Sequence, residues 1–197
     1  MANECLKAIH RRIREPAFSL LFFVGLGLDV GAGQDGLSKY TYLFPRCKGV
    51  RDWDTEDGDG QTLNGIPDNE FGFVHSSHSL EHMRDPHQAL ARWLDVVKPN
   101  GHIIVTIPDE DLYEQGVFPS TWNPDHKHSF TIDKPSSWSH RSVNVLDLYA
   151  KLRHRAELVR LVRLEETFAP HGLRRDQTQA IADSSIEFVL RKRQTTN

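Results

Sequence analysis

Three glycines in the stretch "GLDVGAGQDG", residues 27–36, have the spacing of a loop that holds a nucleotide. Gly31, Gly33 and Gly36 read as GxGxxG, in which glycines let the backbone approach a ligand closely. Asp29 stands just before the loop, at the end of an apolar segment. A carboxylate at that place repels a pyrophosphate and attracts an ammonium group. The loop therefore favours a nucleoside that carries a positive charge.

A second group of carboxylates follows the next predicted strand. One acid at its end is expected to accept hydrogen bonds from both hydroxyls of a ribose. Asp52 and Asp54 lie on the same face of that strand, so position alone does not separate them. Asp54 is favoured because it lies nearer the strand end. Asp52 lies about 20 residues after Gly31, which also fits the ribose acid of an NAD-binding fold.

The NAD alternative is an NAD-dependent dehydrogenase or epimerase. A tyrosine followed four residues later by a lysine would support this alternative, but the sequence contains no such pair. A lone GxGxxG is weak evidence in either direction, because glycine-rich loops also occur as plain turns.

Histidines in two further stretches could act on a bound hydroxyl group. "HSSHSLEH" contains His78 and His82, and "NPDHKHSF" contains Asp125, His126 and His128. Histidine is the common base near neutral pH, and we consider His82 and His126 for that role. His126 and His128 beside a carboxylate also suggest a metal site. No third or fourth ligand can be placed from the sequence, so we predict no metal.

These residues are expected at the ends of strands in an alternating α/β chain. Asp85 is a helix N-cap and Pro86 fits the first helical position. An apolar stripe at helical spacing follows them. Strands are predicted at 24–30, 48–54, 71–77, 102–108, 157–167 and 184–193. Helices are predicted at 3–14, from 86 to the KPNG turn at 98–101, and at 142–156. Such alternation predicts a sheet with helices on its faces.

Composition narrows the class of protein. The 197 residues predict a single domain, and the net charge of −3 argues against a nucleic-acid partner. The apolar run at 17–28 is too short to span a membrane. The two cysteines suit a reducing compartment, so we predict a cytoplasmic protein, and a homodimer is possible.

Ordered motifs resemble the class I S-adenosylmethionine (SAM)-dependent methyltransferases. "LDVGAG" resembles their first motif, and residues 64–108 are similar to the rest of their core. The resemblance implies a single domain over 1–197 with a Rossmann-like, mostly parallel seven-stranded sheet, helices on both faces and one reversed strand. Asp35, Gly72 and Asn100 depart from the family pattern, and the helix between the second and third strands is missing.

The resemblance also implies a site. The residues expected to bind SAM are Asp29, Gly31, Ala32, Gly33, Asp52, Asp54, Asp59, Gly60, Gln61, Ser77 and His78. Segment 109–140 is expected to cover the acceptor pocket, with Tyr113, Trp122, His126 and His128 on the acceptor. The expected acceptor is a hydroxyl of a small molecule or glycan, and Arg174 and Arg175 could hold an anionic one. A non-catalytic SAM-binding regulator or partner subunit is the remaining alternative.

Overall fold

The protein is built on a mixed β-sheet in a computed structural model that describes residues 4–165, 176–178 and 183–194. The strands are β1 (Gly25–Val30), β2 (Cys47–Trp53), β3 (Phe71–Ser77), β4 (Val97–Pro108), β5 (Ser129–Thr131), β6 (Ser142–Asn144), β7 (Ala156–Leu164) and β8 (Ser185–Lys192). The helices are α1 (Glu4–Arg14), α2 (Pro16–Phe22), α3 (Pro86–Val96) and α4 (Val145–Leu152). Over these described ranges, no helix is long and apolar enough to cross a membrane.

The main sheet has the strand order β2-β1-β3-β4-β8-β7. Strands β1 to β4 pair in parallel, whereas β8 runs antiparallel to both β4 and β7. One reversed strand near the end of the chain is therefore confirmed. The parallel strands carry their carboxyl ends to one edge, where ligands of open α/β sheets bind.

The expected seven-stranded sheet is not what the structure shows, because over the described ranges the main sheet has six strands. Between Trp53 and Phe71 the chain forms only turns. That segment is too short to supply a further strand with a crossover on each side, since a crossover alone takes at least about 10 residues. Strand β2 consequently forms an edge of the sheet. A separate pair, β5 with β6, is parallel.

Helix α3 begins as its sequence predicts. The Asp85 carboxylate accepts hydrogen bonds from the backbone amides of His87 and Gln88, at 2.9 and 3.0 Å. Its buried face includes Trp93, whose indole Nε1 donates to the carbonyl of Gly60 at 2.8 Å. The helix thereby holds the turn that follows β2, which is close to the glycine loop.

The amino-terminal helices pack against the sheet, where α1 contacts β8. Pro16 ends α1 as predicted, but a second helix starts there, because proline is favoured at a first helical position. The buried Arg12 forms an ion pair with the buried Glu187 of β8, and Arg160 Nε lies 2.9 Å from the same carboxylate. This network fixes α1 over the sheet.

Segment 109–140 is tied to the body of the protein by a buried carboxylate. Asp109 caps a single π-helical turn, and Glu110 follows it with no exposed surface. Lys134 Nζ and Ser142 Oγ contact Glu110 at 2.9 and 2.5 Å. Glu110 therefore joins the two ends of the segment to each other and to Ser142 of β6.

Candidate functional site

The glycine loop has a backbone that side chains would disturb. Gly31 and Gly33 have φ values of +77° and +54°, which favour glycine. A Cβ at Gly31 would lie 2.3 Å from the Cβ of Ser79. Ser79 Oγ donates to the carbonyl of Val30 at 3.0 Å, at the end of β1. The absence of a side chain at Gly31 thus lets Ser79 close over the strand end.

A first cavity opens between the loop, α1 and segment 109–140. Four of its side chains are carboxylates, which suits a ligand with positive charge. Tyr113 and His126 contribute to its wall from segment 109–140. The cavity is lined by Glu4, Cys5, Asp29, Gly31, Ala32, Gly33, Gln34, Asp35, Ser77, His78, Glu81, Tyr113, Asn123 and His126.

Asp29 lies in this wall with both carboxylate oxygens engaged. One oxygen lies 2.6 Å from Nδ1 of the buried His75, and the other accepts a bond from the amide of Leu37 at 2.7 Å. Burial and nearby carboxylates, Asp29 foremost, raise the pKa of the Cys5 thiol. The Asp29 carboxylate is therefore held rigidly at the cavity surface.

The two candidate ribose acids lie in different surroundings. Asp52 accepts bonds from Ser38 Oγ at 2.5 Å and from the Ser38 amide at 3.3 Å, so it holds the 3₁₀-helix at 37–43. Asp54, just beyond the last residue of β2, lines a second cavity together with Gly31 and His78. Of the two acids, Asp54 lines one of these two cavities and Asp52 lines neither.

The second cavity continues the first, since Gly31 and His78 belong to both walls. Its lining consists of Val30, Gly31, Trp53, Asp54, Thr55, Gly58, Gly60, His78, Ser79, His82 and Met83. The two cavities therefore meet at Gly31 and His78, and together they are called the cleft along the glycine loop.

Asp59 and Gln61, expected near an adenine, make internal contacts. Asp59 accepts a bond from Arg84 at 2.6 Å, and this bond leads the contacts that lower its pKa. The buried Gln61 accepts a bond from the amide of Asp85 at 3.0 Å and contacts Gln88. Both side chains fix the start of α3, and the backbone of Gly60 is what reaches the cavity.

His78 joins the two cavities at the end of β3. Its φ of +54° turns the chain, and its Nε2 lies 3.0 Å from Ser185 Oγ. Burial lowers the pKa of His78 to about 4, so the imidazole is neutral near pH 7. Ser77 Oγ is buried without a hydrogen-bond partner among the described residues.

A cluster of acids and histidines lies where segment 109–140 meets the turn after β3; Glu81, Glu114 and His126 are buried, His82 is partly buried and Asp125 is exposed. His126 Nδ1 is 2.6 Å from Glu114 Oε1, and His82 Nδ1 is 2.9 Å from Asp125 Oδ2. Glu81 has no exposed surface, and burial, followed by the charges of nearby carboxylates, raises its pKa. The ring centroids of His82 and His126 are 5.0 Å apart.

The predicted acceptor residues are divided between two cavities. His126 and His128 both line a third cavity, whereas Tyr113 lines only the first; His128 Nε2 lies 3.2 Å from the carbonyl oxygen of Arg84. Trp122 lines none of the three cavities described here. The third cavity, lined by Arg84, Phe118, Pro119, Pro124, His126, Lys127, His128, His140 and Arg141, shares His126 with the first. Arg174 and Arg175 lie outside the described residues.

Sequence reasoning missed three carboxylates of this site. Glu4, Glu81 and Glu114 approach the cluster from α1, the turn after β3 and the π-helical turn. Glu81 stands in the "LEH" turn that supports the resemblance, yet its spacing alone does not show its burial. Contacts between such distant segments carry no local signal.

Comparison with known proteins defines the class. Residues 11–146 match the methyltransferase domain family, so the chain belongs to that family. A SAM-dependent methyltransferase from Archaeoglobus fulgidus shares its fold, with a TM-score of 0.60, 15% identity and coverage of 97% of this chain and 95% of that one. No curated protein matches the sequence significantly.

Two further structures show the reach of the fold. A S-adenosylmethionine-dependent methyltransferase from Clostridium acetobutylicum has a TM-score of 0.58 and 13% identity, with 98% and 92% of the two chains covered. The [4+2]-cyclase SpnF has a TM-score of 0.53 and 16% identity, with coverage of 95% and 80%. The predicted class, a SAM-dependent methyltransferase, is confirmed. The acceptor, a homodimer and the cytoplasmic location stay predictions.

Proposed function

We propose that the protein transfers a methyl group from SAM to a hydroxyl oxygen of a small molecule or glycan. The observation that supports this most is the position of His126, which lies in the wall of both the first and the third cavity. A methyl donor on one side and an acceptor on the other would meet at this residue. The cleft along the glycine loop supplies the donor side.

The charge of the residues that line the cleft supports this position of the cofactor. Its ammonium group would face Glu4, Asp29 and Asp35, which line the first cavity. Its ribose would bind Asp54, and its adenine would lie over the backbone of Gly60 in the second cavity. In this arrangement Ala32, Gly33, Ser77 and His78 surround the methionine part, while Asp52, Asp59 and Gln61 support the walls.

The reaction is an in-line displacement at the methyl carbon. The acceptor oxygen forms the new C–O bond, and the C–S bond breaks with its electron pair on sulfur, which leaves a neutral thioether. The hydroxyl proton must leave, and His82 or His126 can accept it, because each is oriented by a carboxylate through Nδ1. Alignment of the two reactants supplies much of the remaining acceleration.

The third cavity favours an acceptor with negative charge. Its lining includes the cationic residues Arg84, Lys127 and Arg141, of which Arg84 pairs with Asp59 and Lys127 lies 3.7 Å from Asp125. Cations gathered at a cleft raise the local concentration of anionic ligands. We therefore propose that the acceptor carries a carboxylate or phosphate besides its hydroxyl group, and that Tyr113 and His128 border it.

The test is turnover with SAM and a panel of hydroxylated acids, measured as release of S-adenosylhomocysteine. His126→Ala should lower the rate by about 100- to 10,000-fold, the usual worth of a base, with little change in the affinity for S-adenosylhomocysteine. His87→Ala on α3 is the matched control, since His87 lines none of the three cavities. Tight SAM binding without turnover on any acceptor would instead identify a regulator or partner subunit.

A further inference from the structure

Glu81 is a buried carboxylate whose oxygens lack hydrogen-bond partners. The residue has no exposed surface, and neither Oε1 nor Oε2 has such a partner among the described residues. It nevertheless lines the first cavity. A buried carboxylate is costly unless it is paired or coordinates a metal. The site therefore lacks a positive partner for Glu81 within hydrogen-bond distance.

Two histidines next to Glu81 are oriented as metal ligands usually are. A metal-binding imidazole donates its second ring nitrogen to a carboxylate or carbonyl, which fixes the tautomer. Glu114 does this for His126, at 2.6 Å from Nδ1, and Asp125 does it for His82, at 2.9 Å. The Nε2 atom of His126 then lies 3.8 Å from Glu81 Oε1.

We propose that Glu81, His82 and His126 form a binding site for a divalent transition-metal ion. One ligand atom from each residue lies within 4.8 Å of the other two. Bonds of about 2.1 Å to a tetrahedral ion would bring such atoms to about 3.4 Å from one another, so small side-chain shifts suffice. Two imidazoles and one carboxylate, with an open position, suit Zn²⁺ or Fe²⁺ better than Mg²⁺.

A second group of potential ligands offers a weaker case. Cys5, Asp29 and His75 also lie within 4.8 Å of one another. Both oxygens of Asp29 are already bonded, to His75 and to the amide of Leu37. This group is internally satisfied, whereas Glu81 is not.

The position of the ion connects this site to the proposed function, on which its chemical role rests. His126 borders the third cavity, so an ion on His126 could coordinate the acceptor oxygen. The ion would lower the pKa of that hydroxyl, and the proton would pass to water. His82 and His126 would then act as ligands in place of a free base.

Zinc binding to the whole protein tests the site without reference to activity. The protein is freed of metal with a chelator, titrated with Zn²⁺ by calorimetry, and titrated with Co²⁺ by visible absorption. One equivalent should bind, and Glu81→Gln should weaken binding by more than about 100-fold. Glu114→Gln, which removes a carboxylate that orients a ligand, should weaken it by about 10- to 100-fold.

Matched variants separate this site from others. His128→Ala and Cys5→Ser should keep the affinity for Zn²⁺, because neither residue belongs to the proposed ligand set. Thermal unfolding of Glu81→Gln checks that the variant folds, and it should be at least as stable as the parent without metal, because the buried charge is removed. Loss of zinc binding in Cys5→Ser, or unchanged binding in both Glu81→Gln and His126→Ala, would overturn the proposal.

The outcome is independent of the proposed methyl transfer. Full turnover of the chelator-treated protein, together with no uptake of Zn²⁺ in the titration, would refute the metal site and leave the methyltransferase proposal intact. Binding of Zn²⁺ at these residues without SAM binding or turnover would support the metal site and refute the proposed methyl transfer.

Discussion

Replacement of Asp54 by asparagine should weaken cofactor binding far more than it weakens the fold. Asp54 lines the second cavity, and a Cβ built at Gly33 would lie 4.0 Å from its Oδ2. Its Oδ1 already accepts a bond from the amide of Thr55 at 2.8 Å, which asparagine can preserve. Hydrogen bonds to a charged group contribute about 1.5–3 kcal/mol. Loss of about 2–3 kcal/mol corresponds to a roughly 30- to 150-fold rise in Kd.

Calorimetric titration with S-adenosylhomocysteine measures this effect, and Asp52→Asn is the matched control. Asp52 holds Ser38, so its replacement should lower the free energy of unfolding by about 1 kcal/mol, as the loss of a helix cap does, and with it the melting temperature. The Kd should change by less than about 3-fold. If Asp52→Asn loses the affinity and Asp54→Asn keeps it, the ribose role belongs to Asp52 and our reasoning about the cavity is wrong.

Three further outcomes are expected. S-adenosylhomocysteine should bind at least about 10-fold more tightly than NAD in calorimetry, because carboxylates line the first cavity and repel a pyrophosphate; equal affinities would contradict this. Gly31→Ala should lower both the melting temperature and the affinity for the cofactor, because a Cβ at this position meets Ser79 at 2.3 Å. Gly65→Ala is the control: its φ is also positive but no atom lies within 4 Å, so only the melting temperature should fall. Glu187→Gln should cost about 3 kcal/mol at pH 7, because it breaks a buried ion pair. Burial would raise the Glu187 pKa, but the charges of Arg12 and its neighbours outweigh burial and lower it. The stability from this ion pair is therefore present above pH about 4.5 and is lost as pH falls through the pKa of the folded state. If the melting temperatures of parent and variant differ by a constant amount down to pH about 3, this expectation is wrong.

Local signals predicted most of the fold. The strand at 71–77 and the start of α3 at Pro86 were expected at the positions observed, because apolar runs and an Asp-Pro cap act over a few residues. The strand count was wrong because it came from resemblance. The segment after Trp53 is visibly short in the sequence, and it has room for neither the family's helix nor the additional strand expected there.

The site was less predictable than the fold. Asp52 and Asp54 alternate on a strand, yet the Asp52 carboxylate lies against Gly36 and Ser38, whereas Asp54, beyond the end of β2, lines the second cavity. The pairing of Glu114 with His126 spans separate turns of segment 109–140. Such pairings depend on tertiary packing, which periodicity and spacing do not encode.

Helix α1 lines the cavity that we propose for the cofactor, so the attachment of this helix to the sheet should depend on whether the cavity is occupied. Glu4 and Cys5 line the first cavity, and the amide of Leu6 donates to Asp35 at 3.0 Å. A ligand that requires the attached helix stabilises attachment by about 2.7 kcal/mol at a concentration of about 100 times Kd. Amide hydrogens in residues 4–14 should accordingly exchange more slowly as the cleft fills, so release of the spent cofactor and fraying of this helix belong to a single linked equilibrium.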